Sequence, residues 1–338
     1  MSQVTSSAAR VRGALRAASL ALLLAAPLLH AAPAHALRVV VTDDDGIGAE
    51  GIAVLVEELA KNPELELHVV APAENQSGTS DRFSDVPFAV TDSETSRGFP
   101  GKAVDGFPSD TVLFAVRELD LQPDLVVSGI NAGQNIAELT LVSGTVGACR
   151  TAARFGIPSI AVSQGLAAGI TYDEAAKATA SIVELFRTNS SFRRLLQGAP
   201  GTDTARILNL NFPTCLEGSL RGLRVVDVGQ TREVTGYEPG TEPNVWVPQI
   251  QSNGLGSTDC RSTLNDPQTD IEAMSNGFAS ATPLGPDLAE EGVAAAFARF
   301  LDPDPGTDGR SVLARRGGPG SDGPVVIRRG VTRLPSTR

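Results

Sequence analysis

The segment Leu37-Arg38-Val39-Val40-Val41-Thr42-Asp43-Asp44-Asp45-Gly46 places four β-branched residues in its first six, then stops in three acids and a glycine. A continuous apolar run of that length reads as a strand buried on both faces, and such strands belong to parallel sheets. A helical stretch from about Glu50 to Lys61 follows. Leu67 to Ala71 is a second strand, cut off by Pro72, and Asp124 to Ser128 is a third that runs into Gly129-Ile130-Asn131-Ala132-Gly133-Gln134-Asn135. Ser143-Gly144-Thr145 opens a helix to about Phe155, Pro158 to Ser163 is a short strand, and Asp173 to Arg187 is a helix with an acidic first turn. Ile207 to Leu210 is one more strand. Strands alternating with helices predict an α/β fold: a three-layer, Rossmann-like, mainly parallel sheet. In such sheets ligands bind at the carboxyl ends of the strands. The polar residues collect there, in Asp43 to Gly46, in Asn75-Gln76-Ser77-Gly78 and in Ser128 to Asn135.

From about Arg224 to Leu284 helical periodicity fades and Gly, Pro and Thr dominate, which predicts a β-rich arm carrying Tyr237 and the lone Trp246. Those two aromatics are expected to serve packing rather than to stack on a base. Residues from Glu290 to Leu301 return to an apolar helix, and 302–338, rich in Pro, Gly and Arg, reads as a disordered tail. The domain itself is expected over 37–301.

At the other end, Arg10, Arg12 and Arg16 precede the apolar run Ala17 to Leu29, and Ala34-His35-Ala36 supplies a small-x-small cleavage pattern. That is the arrangement of an export signal peptide, cleaved after Ala36, and its apolar run is too short to span a bilayer. The mature chain from Leu37 is therefore expected outside the cytoplasm, periplasmic or secreted, with no membrane anchor.

Composition agrees with a soluble globular protein: 338 residues, 41% hydrophobic and 20% charged, at a mean hydropathy of zero. A net charge of −11 excludes a nucleic-acid-coating protein, which needs a basic face. Loss of the leader's three arginines takes the charge to −14 and leaves His68 as the only histidine. His68 lies in strand-like sequence and reads as structural, so histidine-rich zinc sites are excluded. A Gly-x-Ser-x-Gly elbow and a phosphate loop of the Gly-x4-Gly-Lys-Ser/Thr type are both missing. Of three cysteines, Cys149 falls in an Ala-rich helical run and is expected buried, while Cys215 and Cys260 fall in loop-like sequence and are expected to pair.

Three consecutive aspartates after a buried strand are costly unless a cation or raised pKa values compensate them. Carboxylates, the Ser77 hydroxyl and the Asn131 amide form a hard oxygen set that suits Mg²⁺, Mn²⁺ or Ca²⁺. The alternative is an acidic turn in which one Asp caps the helix at Glu50.

Val41-Thr42-Asp43-Asp44-Asp45-Gly46-Ile47, Asn75-Gln76-Ser77-Gly78, Val127 to Asn135 and Ser143-Gly144-Thr145-Val146-Gly147-Ala148 occur in that order. The series closely resembles the SurE (survival protein E) family of metal-dependent 5′/3′-nucleotidases and acid phosphatases. Leu208 to Pro213 and Thr269-Asp270 through Leu284 look like later landmarks of the same family. The resemblance implies one divalent cation, Mg²⁺ or Mn²⁺ (Ca²⁺ in a crystal), on Asp44, Asp45, Ser77 and Asn131. It implies a small phosphomonoester substrate beside Asn135 and Ser143, and a homodimer or tetramer built through the arm. The helix start Ser143-Gly144-Thr145 would favour the substrate anion, and Asp44 or Asp45 would act as general base. The chain departs from the family pattern in carrying Asp43 where Asn is common, Gly48 where His is common, and Gly106-Phe107-Pro108-Ser109-Asp110 for Gly-Thr-Pro-Ala-Asp. Residues 228–261 match poorly.

Two other readings stay open at this point. Asp43-x-Asp45-Gly46 after a strand also fits a haloacid-dehalogenase-type phosphatase with Asp43 as nucleophile. An exported binding protein, its aspartates holding a structural Ca²⁺, would need no turnover at all.

Overall fold

A computed structural model describes residues 36–199, 201–242, 244–252, 258–287 and 293–302. Residues 1–35 of the predicted leader and 303–338 of the predicted tail lie outside these residues.

The first strand, β1 (Leu37–Thr42), leads through the acidic turn to α1 (Glu50–Leu59) and returns as β2 (Leu65–Pro72). Two elements that the sequence pattern did not disclose come next, β3 (Val90–Glu94) and β4 (Pro100–Val104), and then α2 (Pro108–Arg117). β5 (Leu125–Ala132) runs four residues beyond its expected end. A short α3 (Leu139–Val142) precedes α4 (Gly144–Arg154), and β6 (Ser159–Gln164), α5 (Asp173–Thr188), α6 (Ser190–Leu196) and β7 (Ile207–Phe212) follow. The rest comprises β8 (Leu223–Val225), the strands β9 (Arg232–Pro239) and β10 (Trp246–Ser252), α7 (Asp270–Ser275), β11 (Ala279–Leu284) and α8 (Ala294–Leu301).

Nine strands form one sheet in the order β3-β4-β2-β1-β5-β6-β7-β11-β8. The central strands are parallel, with Val39 opposite Leu67 on one side and Leu125 on the other. At the two ends of the sheet direction reverses: β3 is antiparallel to β4, and β11 is antiparallel to β7 with β8 parallel to β11. The sheet is covered on both faces. Val39, Val41, Val127 and Leu208 pack with Ile52, Leu55, Ile182, Phe186 and Phe297 of α1, α5 and α8. Val40, Val70 and Val126 pack on the other side with Val112 of α2 and Ala148 and Ala152 of α4. The alternation of β1 between these two cores is what a strand buried on both faces requires. Strand order reverses between β1 and β5, which makes their carboxyl ends the crevice of this architecture.

The β-rich arm is narrower than 224–284. Among the described residues only β9 and β10 form a separate antiparallel hairpin, whereas β8 and β11 join the main sheet and Asp270–Ser275 is helical. The correction has a simple cause, since a six-residue helix is too short to show a period. Trp246 and Tyr237 are 61% and 64% exposed, so neither is a core residue within the described chain. Cys215 and Cys260 are disulfide-bonded and Cys149 is buried and free, as expected. His68 bonds Glu66 at 2.9 Å on β2, a structural role. Among the described residues no helix is long and apolar enough to cross a membrane.

Candidate active site in the crevice between β1 and β5

Asp43, Asp44 and Asp45 leave the end of β1 and turn sharply, closing with Gly46, whose φ of +98° suits a residue without a side chain. Each aspartate finds a different environment. Asp45 is half-buried and bridges two loops: Oδ1 accepts from Asn75 Nδ2 and Oδ2 from the Ala132 peptide N–H, both at 2.7 Å. Asp44 is nearly buried, and its Oδ1 accepts a short hydrogen bond from Thr145 Oγ1. Asp43 is wholly buried, and neither of its carboxylate oxygens is hydrogen-bonded by a side chain or ion-paired among the described residues.

The loop after β2 is tied to the same turn. Gln76 N–H donates to the Asp44 carbonyl at 2.7 Å, and Ser77 N–H donates to Asn75 Oδ1 at 2.9 Å. Ser77 is thereby held beside Asp45 with its side chain exposed. At the end of β5, Asn131 Nδ2 donates to the Gly133 carbonyl at 2.6 Å, which leaves its Oδ1 as the oxygen to offer a ligand. The four residues expected around a cation are thus brought together by three loops at one sheet edge.

The N-terminus of α4 closes the site from above. Ser143 is its N-cap, and the Ser143 hydroxyl accepts from Val146 N–H at 3.1 Å while keeping its own proton to donate. Two glycines allow the close approach. A Cβ at Gly144 would sit 2.8 Å from Asp44 Cβ, and one at Gly147 would sit 1.9 Å from the Ser80 carbonyl oxygen. The helix start read as a cradle for an external anion therefore already faces an anion of the protein, Asp44. Thr145 is fully buried with its hydroxyl turned onto that carboxylate, so its side chain does not face solvent. The helical pattern shows where α4 begins but not which way its second residue points.

Asn135 is held from below. Asn211 Oδ1 accepts from its peptide N–H at 2.7 Å, and Asn209 Nδ2 donates to its carbonyl at 2.8 Å. Asn135 Nδ2 donates to Thr145 Oγ1 at 3.1 Å and to Ser163 Oγ at 2.9 Å. Because Thr145 gives its proton to Asp44, it can only accept from Asn135, which fixes the orientation of that amide. Asp270 holds the next turn, accepting from the peptide N–H groups of Ala137 and Gly229 at 2.9 and 2.7 Å. Asn209, Asn211, Asp270 and Tyr172 were not singled out from sequence. The first three sit within stretches noted only as family landmarks.

Burial, and then the charges of Asp44 and Asp45, hold the Asp43 carboxyl well above the ordinary value. Burial also raises Asp44, opposed chiefly by the Thr145 hydroxyl bond. The Tyr172 phenol is pushed up by burial and then by Asp45, Asp43 and Glu50. None of the three aspartates forms an ion pair among the described residues. The residues fit a hard divalent cation on two grounds: the donors are all oxygen, and the buried carboxylate beside them has no cationic partner among the described residues. No three acidic, His or Cys side chains converge as a cage among the described residues, so Asp44 and Asp45 would need the Ser77 and Asn131 oxygens to complete a coordination shell.

The chain is similar to known proteins. The family described as Survival protein SurE matches residues 39–235. "5′-nucleotidase SurE" of Parvibaculum lavamentivorans is 36% identical over 269 residues, covering 77% of this chain and 90% of the relative. The protein of the same name from Cereibacter sphaeroides is 37% identical over 267 residues, covering 75% and 95%. The crystal structure of the SurE protein from Aquifex aeolicus superposes with a TM-score of 0.56 at 28% identity, covering 77% of this chain and 98% of that one.

Proposed function

Because the chain belongs to the SurE family, we propose that it is a metal-dependent phosphoric monoester hydrolase acting on nucleoside 5′- and 3′-monophosphates. The observation that carries the reading is the convergence of Asp44, Asp45, Ser77 and Asn131 beneath the N-terminus of α4. Those four residues would hold one divalent cation, Mg²⁺ or Mn²⁺. When bound, such a cation supplies a Lewis acid for the phosphoryl oxygen and for water.

The remaining work falls to the chain. The Ser143 hydroxyl and the N-terminus of α4 orient the substrate phosphate. Asn135 fixes the Thr145 hydroxyl, and Thr145 in turn fixes Asp44. Asp45, the more open of the two ligating carboxylates, is the group placed to accept a proton from water. Asp43 is fully buried, so it presents no face for in-line attack on phosphorus, and burial together with family membership weighs against the covalent reading.

The test is phosphate release by the chain from Leu37 onwards on 5′-AMP, 3′-AMP and p-nitrophenyl phosphate. Turnover with Mn²⁺ or Mg²⁺ that stops in EDTA is expected. Equal turnover in EDTA would overturn the metal-dependent reading, and a folded chain that binds Ca²⁺ without turnover would favour a non-catalytic binding protein.

Export is proposed on the leader pattern, and the Cys215–Cys260 disulfide supports it, since such bridges persist in oxidising compartments. N-terminal sequencing of the protein recovered outside the cytoplasm should begin at Leu37. A homodimer or tetramer is proposed through the hairpin, whose Tyr237, Trp246, Val247 and Ile250 are exposed. Light scattering during size exclusion should give a mass of two or four chains.

A further inference from the structure

Ser143 stands at a corner between two helices. Its N–H donates to the Leu139 carbonyl at 3.0 Å and closes α3, while its own carbonyl accepts from Gly147 N–H at 3.0 Å and opens α4. A helix as short as α3 cannot satisfy its later carbonyls internally, so those of Thr140, Leu141 and Val142 need donors from elsewhere. Arg150 lies seven residues after Ser143, on the same face of α4 two turns on, and reaches back to them. Its Nη2 donates to the Thr140 carbonyl at 2.8 Å, and its Nη1 makes a longer contact of 3.4 Å with that of Leu141. Ser80 supplies the rest. Its N–H donates to the Val142 carbonyl at 3.0 Å, and its hydroxyl lies 2.6 Å from the Leu141 carbonyl and 3.2 Å from Asp81 Oδ1. The single hydroxyl proton goes to the nearer acceptor.

Both donors are held there at a cost. Arg150 is only 7% exposed, yet it forms no ion pair among the described residues, and Asp81 and Asp287 pair instead with Arg154 at 2.6 and 3.1 Å. A buried guanidinium without a carboxylate is expensive unless its N–H groups are used. Here they serve the carbonyls of a helix C-terminus, where a cation is favoured. Ser80 has a φ of +56°, a left-handed backbone that glycine adopts far more readily than serine. Glycine, however, would bring no hydroxyl to Leu141.

We infer that Arg150 is a positioning residue for phosphate binding: with Ser80 it caps the end of α3 and so fixes the Ser143 hydroxyl, a role that rests on the phosphate site proposed above. Arg150 acts through residues 140–143 and does not itself touch the substrate. Ser80 lies three residues after Ser77, so the same cap ties the loop assigned to the cation to the helix assigned to the phosphate.

Arg150→Met keeps an apolar stem and removes the donors. At saturating Mn²⁺, KM for p-nitrophenyl phosphate and the inhibition constant of inorganic phosphate should both rise at least about tenfold, the scale of one hydrogen bond to a charged group. Mn²⁺ affinity by calorimetry should not change. Arg150→Lys, which can still donate to one carbonyl, should recover part of the loss, and Ser80→Ala should raise the same two constants by less. A lower melting temperature with both constants unchanged would make Arg150 a structural residue and overturn the inference. Loss of Mn²⁺ affinity alongside phosphate binding would overturn it too, because the whole site would have moved. If Arg150→Met does not fold, Arg150→Lys and Ser80→Ala decide, and wild-type constants in both would overturn it. A wild-type chain without turnover under any metal would remove the phosphate site and the inference together, whereas failure in the variants of an active wild type removes the inference alone.

Discussion

Thr145 Oγ1 donates its proton to Asp44 Oδ1, and through that bond the first turn of α4 and the loop after β1 become one unit. The bond is buried on both sides, and Asn135 backs it from behind. An N-terminal helix turn is a ready anion site, and here part of that capacity is spent on an internal carboxylate. The consequence is a rigid Asp44 rather than a loosely held one.

Thr145→Val keeps the shape and removes the bond, leaving Asp44 and Asn135 without their shared partner. Loss of a buried hydrogen bond to a charged group costs about 1–3 kcal/mol. Urea denaturation should show a loss of that order, and Mn²⁺ affinity should fall as Asp44 loses its orientation. Thr145→Ser should restore both. A serine variant as impaired as the valine one would show that the methyl group matters, not the hydroxyl.

Gly144→Ala places a Cβ 2.8 Å from Asp44 Cβ and 2.9 Å from its Oδ2. Either the helix start or the carboxylate must move. Displacements near 1 Å at a reacting centre cost about 100-fold in rate, so kcat/KM should drop on that scale while circular dichroism stays unchanged. Wild-type kcat/KM would mean that the Asp44 position is not critical.

How much of this was legible in sequence depends on the residue. β1 and its acidic turn were plain, because Val39-Val40-Val41 has no helical alternative at that length and aspartates do not extend a buried strand. β3 was hidden by its composition, since Val90-Thr91-Asp92-Ser93-Glu94 is an edge strand that is largely exposed. β4 begins with Pro100-Gly101, which reads as a turn, although Pro tolerates the first residue of a strand. Helix α2 starts at Pro108 and is pinned by Asp110, which accepts from the peptide N–H groups of Phe107 and Ser84 at 2.8 and 2.9 Å. Ser84 lies in another loop, and no local pattern announces that contact. The candidate ligands stand out in the sequence because each loop carries them at a strand end. The inward turn of Thr145 and the grip of Asn209 and Asn211 on Asn135 were not, because they depend on how α4 and β7 are rotated against the sheet.

Asp302 gives a pH test away from the site. Burial lifts its carboxyl from 3.8 to about 6, partly offset by the Val225 N–H it accepts at 3.0 Å. The folded chain then keeps a proton that the unfolded chain has already lost, so this residue's contribution to stability falls as pH rises from about 4 to 6 and is flat above. Asp302→Asn removes that fall. The variant's melting temperature should therefore gain on the wild type between pH 4 and pH 7, and a constant difference would contradict the assignment.

The disulfide closes a loop of 45 residues that contains the whole hairpin. Chain-entropy reasoning assigns such a loop about 4 kcal/mol. Cys215→Ser with Cys260→Ser should lower stability by an amount of that order in urea, with kcat at 25 °C retained, since no proposed ligand lies between the cysteines. Loss of kcat at unchanged stability would instead tie the bridge to the site.

The most direct measurement is restoration of 5′-AMP hydrolysis in the EDTA-stripped chain by stepwise addition of Mn²⁺, beside Asp44→Asn. Turnover should rise linearly to a plateau at one Mn²⁺ per chain, and Asp44→Asn should stay inactive at the same additions. Full turnover before any Mn²⁺ is added, or recovery of Asp44→Asn along the wild-type curve, would contradict the account.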